Sequence, residues 1–135
     1  MNAQDETLHP DVAEAVAGEL RLLEPAVRAS RELALPLFDP EFEEVGASGR
    51  HWTYGAMLDV LPAIAGDAAE GTRYEPGPVT GVLLAPGLVH VRFETVKDGR
   101  LVRRSSIWRR DPDGPADGPL RMYYHQGTPV PDDLR

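Results

Sequence analysis

The chain has 135 residues, 41% of them hydrophobic, which is enough for one ordinary domain that builds its own core. Fourteen basic residues against 22 acids leave a net charge of −8, arguing against a nucleic-acid binder held by phosphate contacts. Cysteine is absent, which excludes disulfides, thiolate nucleophiles and thiolate metal sites together.

The charge is uneven. Residues 1–50 hold eleven acids and four arginines, and residues 51–135 hold eleven acids and ten basic residues, so the acidity belongs to the N-terminal helices. The opening MNAQDETLHP lacks an apolar run, and no later segment approaches the ~20 apolar residues that span a bilayer. No membrane partner and a cytoplasmic location are therefore expected. Thirteen of the fourteen basic residues are arginine, and Ala, Gly and Pro are plentiful, a composition that points to a bacterium with a GC-rich genome.

Residues 1–9 are expected to fray, residues 10–130 to form a single domain, and residues 131–135 to trail as a tail. Pro10 suits a first helical turn, where Asp11 and Glu14 also complement the helix dipole. Val12, Val16, Leu20, Leu23 and Val27 then recur at helical spacing and predict one apolar stripe, with Glu14, Glu19 and Arg21 off it. Pro25 predicts a kink or break. Ser30 is placed to cap a further turn through Leu35, which Pro36 and the Asp39-Pro40 pair bring to an end.

Glu41 to Val45 reads as a short strand, with Gly46 to Gly49 as a hairpin turn into Arg50 to Trp52. Thr53 caps a helix whose apolar face is Tyr54, Met57, Leu58, Leu61 and Ile64. Residues 66–78, rich in Gly, Pro and acids, predict a surface loop. From Val79 the period becomes two, giving strands over Val79–Ala85, Leu88–Val96, Leu101–Arg110 and Leu120–Gln126. Helices first and strands later predict an α+β fold, with helices covering one face of a curved sheet.

Three phrases carry a resemblance: FDPEFEEVGASGRHW at 38–52, RSSIWRR at 104–110 and LRMYYHQGTP at 120–129. With the order of elements, they resemble the nuclear transport factor 2-like superfamily, also called SnoaL-like or cystatin-like. Within it they resemble an uncharacterised bacterial branch with a phenylalanine-acid-glycine-serine-glycine hairpin, an Arg-Ser-x-x-Trp strand and a closing His-Gln-Gly-Thr. Leu120, where such relatives carry tryptophan, and the long proline-rich tip at 111–119 depart from that pattern. The resemblance implies a cone of N-terminal helices on a curved, mostly antiparallel sheet of about six strands. It also implies a ligand site inside the cone and homodimers formed through the sheet. Such cones host isomerases, dehydratases, cyclases, hydrolases and binding modules, so fold alone does not fix function.

Alternation places Phe42 and Glu44 on one strand face, so a core Phe42 brings Glu44 into the cone. Arg104, Ser106 and Trp108 share one face of their strand, and an inward Arg104 would pair with Glu44; periodicity leaves the opposite face, Arg103 to Arg109, equally open. On the last strand the apolar set Leu120 and Met122 predicts that Tyr124 and Gln126 face the pocket and His125 lies behind the sheet. His125 is the most tempting acid or base, since an imidazole titrates near neutrality. Trp52 and Tyr54 flank a helix start and suit the pocket mouth. The polar trio His90, Arg92 and Glu94 is expected on the outer face, opposite Val89, Val91 and Phe93. His9, His51, His90 and His125 lack ligand spacing, and no phosphate loop or dinucleotide fingerprint is present, so neither a metal nor a cofactor is expected.

The leading expectation is a homodimeric small-molecule-binding cone with Trp52, Tyr54, Arg104, Ser106, Trp108, Tyr124 and Gln126 around the ligand. The alternative is a cofactor-independent lyase or isomerase, or a hydrolase, with Glu44 or His125 as general acid or base. A protein-interaction module is the third. A catalytic carboxylate should have a raised pKa and face open cavity, an anchor locked to Arg104 a depressed one, and an interaction module a filled cone with an apolar outer face.

Overall fold

A computed structural model describes residues 9–69 and 75–135, and for 62–69 and 75–76 the backbone alone. The expected frayed stretch, apart from His9, and residues 70–74 of the expected loop lie outside the described residues.

Helix α1 spans Pro10–Leu23, with Pro10 in its first turn and the His9 ring accepting the Asp11 N–H at 3.1 Å. Its buried face is Val12, Ala15, Gly18, Glu19 and Leu22, which corrects the expected stripe. Leu20 is 42% exposed and Glu19 only 2%. The small residues Ala15 and Gly18 face the sheet because the helix lies against the Trp108 ring, and this rolls Glu19 inward. Pro25 breaks the helix: Glu24 is extended, and α2 (Pro25–Arg28) and α3 (Arg31–Ala34) follow as single turns. Ser30 Oγ caps α3 by accepting the Leu33 N–H at 3.2 Å.

Strand β1 is Phe38–Val45, β2 is His51–Thr53, and α4 runs Tyr54–Ala69, so helix occupies the start of the segment expected to be loop. The short β3 (Glu75–Pro76) follows, then β4 (Thr80–Ala85), β5 (Leu88–Lys97), β6 (Arg100–Arg110) and β7 (Leu120–Pro129). Among the described residues these form one sheet ordered β2-β1-β7-β6-β5-β3, with β4 also on β5. Among the described residues only the β1–β7 pairing is parallel. That pairing sets the N-terminal hairpin beside the last strand, so both halves of the chain build one wall. The tail is tied down, with Arg135 donating to the Gly99 carbonyl at 2.9 Å.

The helices cover one face of the wall. Val89, Val91 and Phe93 point to them, as do Val102, Ser106 and Trp108, and together with Val12, Phe42 and Leu58 they are almost fully buried. Each large side chain so buried contributes about 1.5–3 kcal/mol. His90, Arg92 and Glu94 lie on the outer face, where the His90 ring meets Ser105 Oγ at 2.6 Å. Among the described residues no helix is long and apolar enough to cross a membrane.

One irregularity decides the site. Along β6 and β7, Trp108 pairs with Met122 but Ile107 pairs with Tyr124, leaving Tyr123 as an extra residue. A single-residue bulge inverts the faces beyond it. Leu120 and Met122 point inward before it, His125 and Gly127 after it.

Candidate functional site

A cavity of about 140 Å³ lies between the sheet and helices α1, α2 and α4. Leu22, Phe38, Met57, Phe93 and Met122 supply apolar wall, Trp52 an aromatic flank, and Glu19, Arg28, Glu44, Arg104 and His125 a polar end. The volume is close to that of a cavity that holds one benzene ring.

Cross-strand pairing explains why these groups converge. Val91, Ser106, His125, Glu44 and Trp52 form one row across β5, β6, β7, β1 and β2, each opposite the next. Residues opposite one another on the same face have Cβ atoms about 5 Å apart. Ser106 Oγ and His125 Nδ1 are 2.6 Å apart and buried. From α1 above, Glu19 accepts from Trp108 Nε1 at 3.1 Å, and the Ser106 hydroxyl beside it lowers the Glu19 pKa. Arg104 donates from Nε to Thr95 Oγ1 at 2.8 Å, and its NH1 stands 3.4 Å from His125 Nε2.

The network assigns the protons. A guanidinium only donates, so His125 Nε2 is the acceptor and Nδ1 carries the hydrogen. With Glu19 ionised, that N–H is given to Ser106 Oγ and the Ser106 proton is directed to Glu19. Burial, reinforced by the Arg104 and Arg28 charges, pushes the His125 pKa down to about 3, so the ring is neutral. Burial drives Glu19 the other way, up to about 7, against the hydrogen bonds from Ser106 and Trp108 and the Arg104 charge. Burial also raises Glu44, and the charges of Arg104 and Arg28 only partly offset it.

Of the residues expected from sequence, Glu44, Trp52, Arg104 and His125 line the cavity. Ser106 and Trp108 lie just behind it, 0% and 1% exposed, and orient His125 and Glu19. Tyr54 packs half-buried against the core at the start of α4 and is not part of the cavity wall. The expected facing of the last strand is corrected. Tyr124 and Gln126 lie on the outer face, where Tyr124 donates to Gln126 Oε1 at 2.8 Å, and His125 takes the inward position. The reason is the extra residue Tyr123, which packs under the Arg109 guanidinium at 4.1 Å. Glu44 and Arg104 both line the cavity, and the Arg104 charge lowers the Glu44 pKa without outweighing its burial.

Glu19 and Arg28 were not expected in the site. The signal for Glu19 was the run Val12, Ala15, Gly18-Glu19, Leu22, whose spacing is helical but whose small residues gave it little apolar weight.

A helix-covered, curved mixed sheet enclosing a polar-ended cavity defines the nuclear transport factor 2-like, cystatin-like fold, and this chain has it. An uncharacterised protein with a cystatin-like fold from Caulobacter vibrioides superposes with a TM-score of 0.79 at 14% identity, over 93% of each chain. A nuclear transport factor 2-like protein from Novosphingobium aromaticivorans gives 0.71 at 16% identity, over 93% of this chain and 86% of that one. A putative calcium/calmodulin-dependent kinase II association domain from Exiguobacterium sibiricum gives 0.64 at 12% identity, over 91% and 95%. At these identities the likeness shows the fold alone. No family model matches the sequence, and no curated protein matches it.

Proposed function

We propose that the cone binds a small, largely apolar molecule and transfers a proton on it, as an isomerase or lyase that needs no cofactor, with Glu44 as the cavity-facing base. The observation that carries this is Glu44 itself. It faces the cavity beside His125 with its pKa raised by burial, and a carboxylate becomes a stronger base as its pKa approaches neutrality. The ligand is small, since about 140 Å³ takes a body of roughly one ring. The enclosed volume speaks against a module that works only through its outer face, as does the exposure of Arg92, Glu94, Arg103, Gln126 and Thr128 there. Homodimerisation through the sheet belongs to the same proposal, and sedimentation equilibrium tests it: a dimer at micromolar concentration is expected, and a monomer overturns that part.

The test of proton transfer uses small carbonyl compounds of about one ring in size as probes in D₂O. Expected is binding seen by ligand-observed NMR, with exchange of the hydrogens α to the carbonyl that Glu44→Gln abolishes while leaving binding in place. Binding without exchange overturns catalysis and leaves a binding module. Absence of binding overturns both.

A further inference from the structure

We propose that Glu19, Ser106 and His125 form a proton relay, through which the protonation of Glu19 sets which His125 ring nitrogen carries hydrogen. The geometry is a continuous buried chain. Glu19, held by Trp108 Nε1 at 3.1 Å, has the Ser106 hydroxyl beside it, Ser106 Oγ lies 2.6 Å from His125 Nδ1, and His125 Nε2 is on the cavity side, 3.4 Å from Arg104 NH1. A serine hydroxyl between two partners has one proton, so it donates to one and accepts from the other. Two arrangements let Ser106 donate to one neighbour and accept from the other. With Glu19 ionised, His125 Nδ1–H donates to Ser106, Ser106 donates to Glu19, and Nε2 is a bare acceptor. With Glu19 protonated, its O–H donates to Ser106, Ser106 donates to Nδ1, and the hydrogen sits on Nε2.

The two forms differ by one proton, and it can enter at the cavity. A proton taken from a donor by Nε2 lets the Nδ1 proton pass to Ser106 Oγ and the Ser106 proton pass to Glu19. The N–H bond at Nδ1 and the old O–H bond break as the new O–H bonds form. The ring is neutral at both ends of the step and the charge lost is that of the Glu19 carboxylate. This answers an otherwise awkward point, because a ring held neutral this firmly is a poor base alone. Burial and Arg104 disfavour imidazolium, whereas the relay never forms it. In the protonated form Nε2–H and the Arg104 N–H face one another as two donors. The charged groups facing Glu19 are Arg28 from α2, Glu44 from β1 and Arg104 from β6, with His125 on β7; the described residues of α4 that line the cavity, Met57 and Leu61, are apolar.

The relay rests on its own geometry, and its use on a ligand rests on the proton-transfer function proposed above. The test is the ¹⁵N spectrum of the histidine rings in the full, ligand-free chain between about pH 5 and about pH 9. The His125 nitrogens are expected to exchange roles, Nδ1 protonated at high pH and Nε2 at low pH, with no imidazolium between. Glu19→Gln should lock the Nε2–H form at every pH, because its amide oxygen stays on Trp108 and its NH₂ donates to Ser106. Ser106→Thr keeps the exchange and Ser106→Ala abolishes its pH dependence. One tautomer throughout, protonation of both nitrogens in this range, or an exchange indifferent to Ser106→Ala overturns the relay. The wild-type titration alone decides if the variants do not fold. A tautomer exchange with no ligand turnover leaves the relay standing and removes the proposed reaction.

Discussion

Gly18 lies directly against the Trp108 ring: a Cβ placed on it would stand 2.6 Å from the indole Cη2 and 2.7 Å from Cζ3. The ring has nowhere to go, being 1% exposed and held through Nε1 to Glu19. Glycine in a helix costs about 1 kcal/mol relative to alanine, and here that cost gives the close approach that brings Glu19 onto Ser106. Gly18→Ala should therefore destabilise despite its better helix propensity. A net loss of about 1–2 kcal/mol in urea denaturation is expected, with a shift in tryptophan emission.

The pH dependence of stability should show two buried groups cancelling. The folded pKa of Glu19, about 7, lies above its ordinary 4.5, so its contribution is intact below 4.5 and lost as pH rises to 7. The folded pKa of His125, about 3, lies below its ordinary 6.5, so its contribution is intact above 6.5 and lost as pH falls toward 3. Each tilts stability by about 1.4 kcal/mol per pH unit, and between 4.5 and 6.5 the tilts oppose. Urea melts should find this pair contributing no slope in that window. Glu19→Gln should become less stable as pH falls below 6.5, and His125→Asn less stable as pH rises above 4.5.

The first turn of α1 is clamped to the lip of the sheet. Asp11 accepts from Arg110 NH2 at 2.9 Å and from the Gly87 N–H at 2.9 Å, and Glu14 accepts the Leu120 N–H at 2.6 Å. Asp11 and Arg110 side chains are only 14% and 19% exposed, so removing one leaves the other charge largely buried. Asp11→Ala should cost about 3 kcal/mol, read as a lower thermal midpoint. The Arg110 hydrogen bond holds Asp11 below the usual carboxylate range; for Asp39, burial raises the pKa but the bonds from Arg109 outweigh it. Both contributions are present above the ordinary 3.8 and lost as pH falls below it, so acid unfolding should steepen there and soften in Asp11→Ala.

Gly127 faces inward beside Arg104. A Cβ there would meet Arg104 NH1 at 3.1 Å and Val102 Cγ1 at 3.2 Å. Since Arg104 is fixed at Nε by Thr95, NH1 has little room to retreat from both the methyl and His125. Gly127→Ala should cost about 1 kcal/mol in denaturation and move the His125 ring resonances, because it displaces the guanidinium that stands 3.4 Å from the ring.

The strand over Val89 to Phe93 was legible because apolar and polar residues alternate through it, and the pairing of Glu44 with the cavity followed from Phe42. The caps at Ser30 and Thr53 were legible for a local reason, since a cap is made within one turn. Glu19 was not, because a stripe drawn through large apolar residues passes over Ala15 and Gly18, whose smallness is what the Trp108 contact needs. The inversion at Tyr123 was not legible either. Two adjacent tyrosines suit either face, and only the pairing with β6 reveals that one of them is extra. The start of β1 at Phe38 through Pro40 is likewise set by its parallel partner β7, which is far away in sequence.

Carbon-13 titration of the glutamate side-chain carboxyls most directly tests whether the cone interior is a proton-transfer site. Glu19 should titrate at about 7 and Glu44 above the ordinary 4.5, each resonance identified by its Gln variant. Both carboxyls titrating at or below 4.5 would contradict the account, since neither would then be the buried carboxyl with a raised pKa on which it depends.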